Sequence, residues 1–555
     1  MDLFIKKPLS LLEKEAGDKG KGQMKRVLGP WSLIALGIGN VVGAGLFSVT
    51  GLVAANNSGP AITLSFLIAS IACSFAGLCY AEFSSRIPVA GSSYTYSYTT
   101  MGELIAWIIG WDLVLEYAVS AAVVSVSWSQ YVNALLHDIG IHLPDAWTHC
   151  PSEGGIANLP AVLIIVMMSL LLMRGIKDSA VANNIMVFLK MAVIVIFIIL
   201  GWKYINTDNY TPYIPANTGT FGEFGWSGII RGAGVIFFAY IGFDAVSTEA
   251  QETRNPQRDM PIGIIGTLII CTVIYMLFGH VMTGIVHYSD FTGQNSIAPV
   301  ATAIGKMGAI GADGRFHLAY PWLNKAIILA ILLGYSSVIM VSLLGQSRIF
   351  YSMSKDGLLP GVFSHLHRRF RTPLRSTVLL MAVTGIGAAF VPADITGEMI
   401  SIGTLFSFIL VCIGILITRK TMPPVPKGGF KVPFVPYIPI AGILCCMVMM
   451  VFLPADTWIR LVIWMTVGMD IYSAYGVKHS VLGGKTPRRH GQSLLCYIGI
   501  GLSFLCYITG VWHQQIAGWG TDKALLWTSI LFGTVHLFYY AVRLYRITNN
   551  KPSGA

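Results

Sequence analysis

The sequence predicts an all-α polytopic membrane protein, organised as a 5+5 inverted repeat with about four additional helices at its C-terminal end. Three observations carry this expectation. The 555 residues are 54% hydrophobic and only 11% charged, against roughly 25% charged residues in a soluble domain. The apolar residues come in blocks rather than amphipathic stripes. No Asp, Glu, Lys or Arg stands between Arg26 and Glu82, and about 20 apolar residues cross a bilayer core. Finally, two of the blocks are interrupted at mid-span, five spans apart.

Apolar blocks between polar breaks give fourteen candidate spans. They lie near 31–55, 60–84, 103–135, 158–174, 180–202, 226–250, 261–286, 324–347, 376–392, 398–418, 435–453, 457–477, 492–512 and 524–545. The stretch "NNSGP" (56–60) reads as the turn between the first two, and the third block is long enough to tilt or to project from the membrane. The divisions are a polar tail (1–30) without a cleavable signal pattern, repeat one (31–203), repeat two (225–418), spans 11–12 (435–478), spans 13–14 (492–545) and a tail (546–555). With the N-terminus in the cytoplasm, 29 of the 37 Lys and Arg fall on inside segments, 7 on outside segments, and Lys190 within span 5. Cytoplasmic loops carry such an excess, so both termini are expected inside. The net charge of +11 therefore reads as topology, not as affinity for nucleic acid. Eight of the nine cysteines fall in apolar segments without metal-ligand spacing, and only Cys150 lies clearly in a loop.

The first interruption is "NVVGAGLF" (40–47), where Gly43 and Gly45 stand at mid-span. Each glycine costs a helix interior about 1 kcal/mol relative to alanine. Either a second helix packs closely here, as the Gly39/Gly43 spacing allows, or the helix breaks. The second interruption is "FFAYIGFDAVSTEA" (237–250), with Gly242 at mid-span. An odd number of spans between two copies inverts them, and paired interruptions in inverted halves point to a transporter binding site. A break near residue 43 leaves the carbonyls of Val41 and Val42 free and exposes the N–H groups of Ala44, Gly45 and Leu46. The second break adds carbonyls near Phe238, Ala239 and Ile241. Helix N-terminal ends attract carboxylates and free carbonyls accept from ammonium groups. Val41, Val42, Gly43, Ala44, Gly45, Phe238, Ala239 and Ile241 are therefore the expected main-chain site for an α-amino acid.

Ionisable residues at membrane depth are few, and each costs at least about 2.5–3.5 kcal/mol. Lys190, in "NNIMVFLKMAVIVIFI", lies seven residues past Asn183, about 10 Å along a helix. Removal from water changes how readily an amine holds its proton, which suits a proton-coupling role. The alternative is a lysine that snorkels to the membrane face. Glu116 lies mid-span in the third block, one turn after Asp112, and suits either substrate orientation or structural hydrogen bonding. Asp244 follows the second break and suits a cap of its second half-helix. "ETRNPQRDMP" (252–261) ends in a proline placed to open span 7. His137, His142 and His149 share one outer loop, with spacing too loose for a metal site. A nucleophile–base pair or HExxH motif is not apparent, so neither enzyme activity nor a cofactor is expected.

Four stretches carry a family resemblance: "LGIGNVVGAGLF" (36–47), "GWDLVLEYAVS" (110–120), "FFAYIGFDAVSTEAQETRNPQRDMP" (237–261) and "GQSRIFYSMSKDGLLP" (345–360). A fifth, "TWIRLVIWMTVGMDIYSAYGVKHS" (457–480), extends it. Across about residues 25–480 the chain resembles the amino acid–polyamine–organocation transporters, specifically the cationic amino acid transporter group. The resemblance implies a LeuT-type inverted repeat, alternating access, and amino acid transport, often coupled to protons. It implies a bacterial inner-membrane location. It matches Lys190 to a family span 5 lysine, Glu116 to a span 3 acid near the pocket, and the two breaks to the substrate site. The chain departs from the family pattern I-I-G-T-G-I-F at Val41, Val42 and Ala44, losing one threonine hydroxyl. It also adds two spans to the twelve of many bacterial relatives.

The expected function is proton-coupled amino acid symport, with the amino acid, protons and the lipid bilayer as partners. An uncoupled exchanger or facilitator, or a sensor that binds without transporting, stays open. Only Glu116 and Asp112 offer negative charge near the pocket, which leans toward neutral substrates.

Overall fold

The structure is a computed structural model. It describes residues 3–12, 26–43, 45–89, 91–138, 140–291, 299–310, 316–367, 370, 372–390, 397–425, 428–451, 453, 455–483, 489–517 and 523–549. Helices dominate it. In chain order they are α1 (Pro30–Val41), α2 (Ile62–Arg86), α3 (Glu103–Asp138), α4 (Leu159–Arg174), α5 (Ile176–Gly201), α6 (Gly225–Ile236) and α7 (Pro256–Ile285). There follow α8 (Pro321–Lys355), α9 (Leu374–Phe390), α10 (Gly397–Thr421), α11 (Tyr437–Val451), α12 (Ala455–Ile471), α13 (Arg489–Ala517) and α14 (Lys523–Asn549). A helix thus overlies each of the fourteen apolar segments. Among the described residues, nine helical stretches are long and apolar enough to cross a membrane, or ten if α11 and the helix beyond it, bent by 112°, count as one. Helices α1, α4 and α9 are shorter. The 12 residues of α1 reach about 18 Å, because the chain breaks after Val41.

"NNSGP" forms the turn between the first two spans, built from a π-helical turn (Ala54–Ser58) and a 3-10 turn (Gly59–Ala61), with Gly59 at φ +58° and ψ −142° where the two meet. One local expectation needs correction. Span 7 opens at Pro256, not Pro261. Pro256 occupies the first helical position, where its missing N–H costs nothing, and Pro261 lies inside the helix.

Helix α7 packs on α2, α8 on α3, and α9 on α4. Helix α3 also packs on α10 and α8 on α5, while α7 packs on α1 and α2 on α6. The later helices attach to this body. Trp107 and Trp111 of α3 stack with Tyr472 and Trp464, and the indole N–H groups of Trp111 and Trp464 donate to each other's carbonyls at 2.9 and 3.1 Å. Helix α14 docks on α12 through Asp470, which meets His536 at 2.8 Å and Tyr540. A two-stranded antiparallel hairpin, β1 (Gly308–Ile310) with β2 (Phe316–Leu318), lies between α7 and α8, with Ala309 opposite His317.

The N-terminal residues 3–12 are packed, not free. Lys7 is buried and bonds Asp356 at 2.6 Å, and the carbonyls of Leu3 and Ile5 accept from the N–H groups of Leu104 and Glu103. Leu28 pairs as a short parallel bridge with Thr253, just past the second break. Close by, Arg348 of α8 is 1% exposed and bonds Glu252 at 2.7 Å.

Candidate functional site

The two interrupted spans meet at mid-body. In the first, α1 stops at Val41, Val42 turns to φ −82°, ψ 93°, and a π-helical turn resumes at Gly45–Val49. In the second, α6 tightens into a 3-10 turn (Phe237–Tyr240), Ile241 extends at ψ 137°, and Gly242 takes φ +109°. That left-handed conformation favours glycine. A further 3-10 segment (Phe243–Glu252) follows. The breaks touch. A Cβ on Gly45 would lie 2.4 Å from Cα of Ala239, and one on Gly242 would lie 2.3 Å from Nδ2 of Asn40. Both readings of the glycines therefore hold in part. Gly37 and Gly39 admit Thr267 and Asn183 against α1, and Gly45 admits the other break.

Lys190 organises the end of α1. It is 0% exposed, so it does not snorkel. Its Nζ donates to the carbonyls of Ile38 and Gly39 at 3.1 Å and of Val42 at 2.8 Å, and to Oγ of Ser337 on α8 at 2.8 Å. The Ser337 hydroxyl in turn lies 2.8 Å from the carbonyl of Gly39. Hydrogen bonds to a charged group contribute about 1.5–3 kcal/mol each, which compensates part of the cost of burying one ammonium. Among the described residues no carboxylate pairs with it.

A second clamp joins the breaks. The Tyr275 hydroxyl on α7 lies 2.9 Å from the carbonyl of Val41 and 3.0 Å from that of Ala239. Asn40 donates to the carbonyl of Gly242 at 3.3 Å and accepts from Ser342 at 3.2 Å. The sequence predicts free carbonyls at Val41 and Val42, but each has one protein donor, Tyr275 and Lys190 respectively, and keeps a second lone pair. The N–H of Leu46 is likewise occupied, by the carbonyl of Gly43 at 3.2 Å.

Between the breaks lies a cavity of about 30 Å³, lined by Val41, Gly43, Gly45, Glu116, Phe238 and Ile241 among others. That volume holds about one water, so the two breaks pack closely here. Of the expected residues these six line the cavity, Val42 and Ala239 support it from behind, and Ala44 lies outside the described residues. Glu116 is 1% exposed, and among the described residues neither carboxyl oxygen makes a hydrogen bond of good geometry, with the Thr404 hydroxyl its nearest donor. Asp112, one turn away, is also buried, has no hydrogen-bond partner among the described residues, and lies against Gly403 of α10. Asp244 sits in the first turn after Gly242, with its carboxylate turned to the backbone N–H groups of Gly242, Asp244 and Ala245 as a cap requires, and it also accepts from Tyr117 at 3.1 Å. The sequence reading missed Tyr275, Ser337, Asn40 and Ser342. Asn40 carried a signal, as a polar residue beside the glycines within an uncharged span. The others are ordinary span residues whose partners lie far along the chain.

The family profile described as amino acid permease matches residues 28–469, which include both breaks, Lys190 and Glu116. This chain belongs to the amino acid permease family. The permease is 41% identical over 482 residues to the methylthioribose transporter of Bacillus subtilis, covering 86% of this chain and 99% of that one. It is 40% identical over 484 residues to a branched-chain amino acid permease of the same organism, with 86% and 99% covered. It is 30% identical over 582 residues to the vacuolar cationic amino acid transporter 4 of Arabidopsis thaliana, with 83% and 94% covered. These relatives are named as transporters and permeases, not enzymes. The permease is accordingly an integral membrane protein of an amino acid transport family.

Proposed function

We propose that the permease is a secondary active transporter that moves neutral, apolar amino acids by alternating access, in symport with protons. The observation that carries this reading is the Lys190 ammonium, held by three α1 carbonyls and Ser337 with no carboxylate partner. A protonated amine has three N–H groups for these acceptors; a neutral amine has two. Loss of the proton removes one tie between α5 and the broken end of α1, which couples protonation to the shape of the substrate site.

Several features support the finer parts of the reading. Replacing each helix number by one five away exchanges α3–α10 for α8–α5 and α1–α7 for α6–α2, as a LeuT-type 5+5 repeat requires, with α11–α14 accessory. The Gly43–Gly45 region offers main-chain groups to a carboxylate, and Glu116 faces the same cavity with a carboxyl for the amine. Val41, Val124, Phe238, Ile241 and Val338 give the wall an apolar side, beside the polar Asn40, Tyr117, Ser120 and Ser342, and would meet an apolar side chain; a branched-chain permease among the relatives agrees. The Lys/Arg distribution supports cytoplasmic termini, and the relatives from Bacillus subtilis support a bacterial cytoplasmic membrane. Arg348–Glu252 and Lys7–Asp356 then lie at the cytoplasmic end and would separate on opening.

The test is uptake in liposomes under an imposed inward proton gradient. Accumulation should rise with the gradient and vanish in Lys190→Ala. Uptake that follows internal amino acid and ignores the gradient would make the protein an exchanger instead.

A further inference from the structure

A second groove lies outside the cavity between the breaks and shares no lining residue with it. It occupies about 1010 Å³ where the end of α10 meets the segment leading into α11. Its floor is apolar, with Leu416, Ile417 and Ile440, and Arg419, Lys420 and Lys431 stand along it. Phe434 and Tyr437 project beside it, 79% and 76% exposed. Aromatic rings of this kind settle at the headgroup level of a bilayer, which places the groove at the membrane boundary.

The charges here are not balanced within the protein. Glu82 takes Arg86 at 2.8 Å, Arg419 at 2.6 Å and the N–H of Val432 at 2.7 Å. Lys420 and Lys431 are exposed and have no ion-pair partner among the described residues. The buried Nε of Arg419 also lacks an acceptor. An apolar trough with excess positive charge at its polar end fits a ligand with acyl chains and an anionic head. Basic pockets at helix ends select acidic headgroups in this way.

We propose that this groove binds an acidic phospholipid, with acyl chains along α10 and α11 and the phosphate against Arg419, Lys420 and Lys431. The occupant bridges the ten-helix body to the first accessory helix. The proposal is independent of the transport reading, since a protein that moved nothing would still satisfy it.

The test uses the full chain in neutral detergent. It is incubated with dioleoyl phosphatidylglycerol or dioleoyl phosphatidylcholine, and retained lipid is counted by native mass spectrometry. The intact protein should retain phosphatidylglycerol in preference. Lys420→Gln with Lys431→Gln should weaken that retention roughly tenfold or more, while Lys325→Gln should leave it unchanged. Equal retention of both lipids by the intact protein would overturn the proposal, as would undiminished phosphatidylglycerol on the double variant. Displacement by equimolar soluble glycerol 3-phosphate would also overturn it, since the ligand would then be a free phosphate.

Discussion

Replacing Tyr275 with Phe removes one hydroxyl and leaves the ring. Its contacts with Phe66 and Tyr240, both at 5.3 Å between centroids, should persist, so the change isolates the clamp between the breaks. The hydroxyl has one proton, shared between the carbonyls of Val41 and Ala239. Tyr275 is 0% exposed, so water has no ready path to replace it. Leaving a buried acceptor unsatisfied costs about 1–3 kcal/mol. A tenfold fall in the population with both breaks aligned corresponds to about 1.4 kcal/mol, so uptake should fall by roughly that factor. The assay is initial amino acid uptake in liposomes, normalised to inserted protein, with a thermal midpoint in detergent. Both should drop in Tyr275→Phe. A variant with the parental midpoint and uptake would refute the view that this hydroxyl holds the breaks together.

Gly45→Ala puts a methyl 2.4 Å from the Ala239 backbone, where no side chain can yield; overpacking of about 1–3 kcal/mol should abolish uptake while the protein still inserts, checked by membrane yield against transport. Arg348→Met leaves Glu252 buried without its partner, and breaking such a pair costs about 3–5 kcal/mol. Its thermal midpoint should fall well below that of the Arg348→Met, Glu252→Gln double variant; equal midpoints would show that the pair is not a buried tie. Glu116→Gln keeps the shape of the cavity but removes its acidic group, and should raise KM roughly tenfold in competition uptake; unchanged KM would remove Glu116 from the binding site.

Much of this was legible in the sequence because burial in lipid leaves strong marks. Each apolar block carries a helix, and Gly43, Gly45 and Gly242 mark true departures from helical geometry. Lys190 was conspicuous as a charge at membrane depth. What stayed hidden depends on distance along the chain. The donors that occupy the Val41 and Val42 carbonyls come from Tyr275 and Lys190, 234 and 148 residues away, and nothing in "NVVGAGLF" announces them. Ser337 is one serine among several in α8 until it is placed beside Lys190. The N-terminal segment reads as a polar tail because the burial of Lys7 depends on Asp356, 349 residues further on.

Substrate-driven proton movement is the most direct probe of coupling through Lys190. Liposomes loaded with a pH-sensitive dye and held at zero membrane potential should acidify inside when a neutral amino acid such as leucine is added outside the intact permease. Lys190→Ala liposomes, with substrate exchange retained, should show no such change. Acidification that persists in Lys190→Ala, or that is absent from the intact permease while leucine enters, would contradict proton symport through this residue.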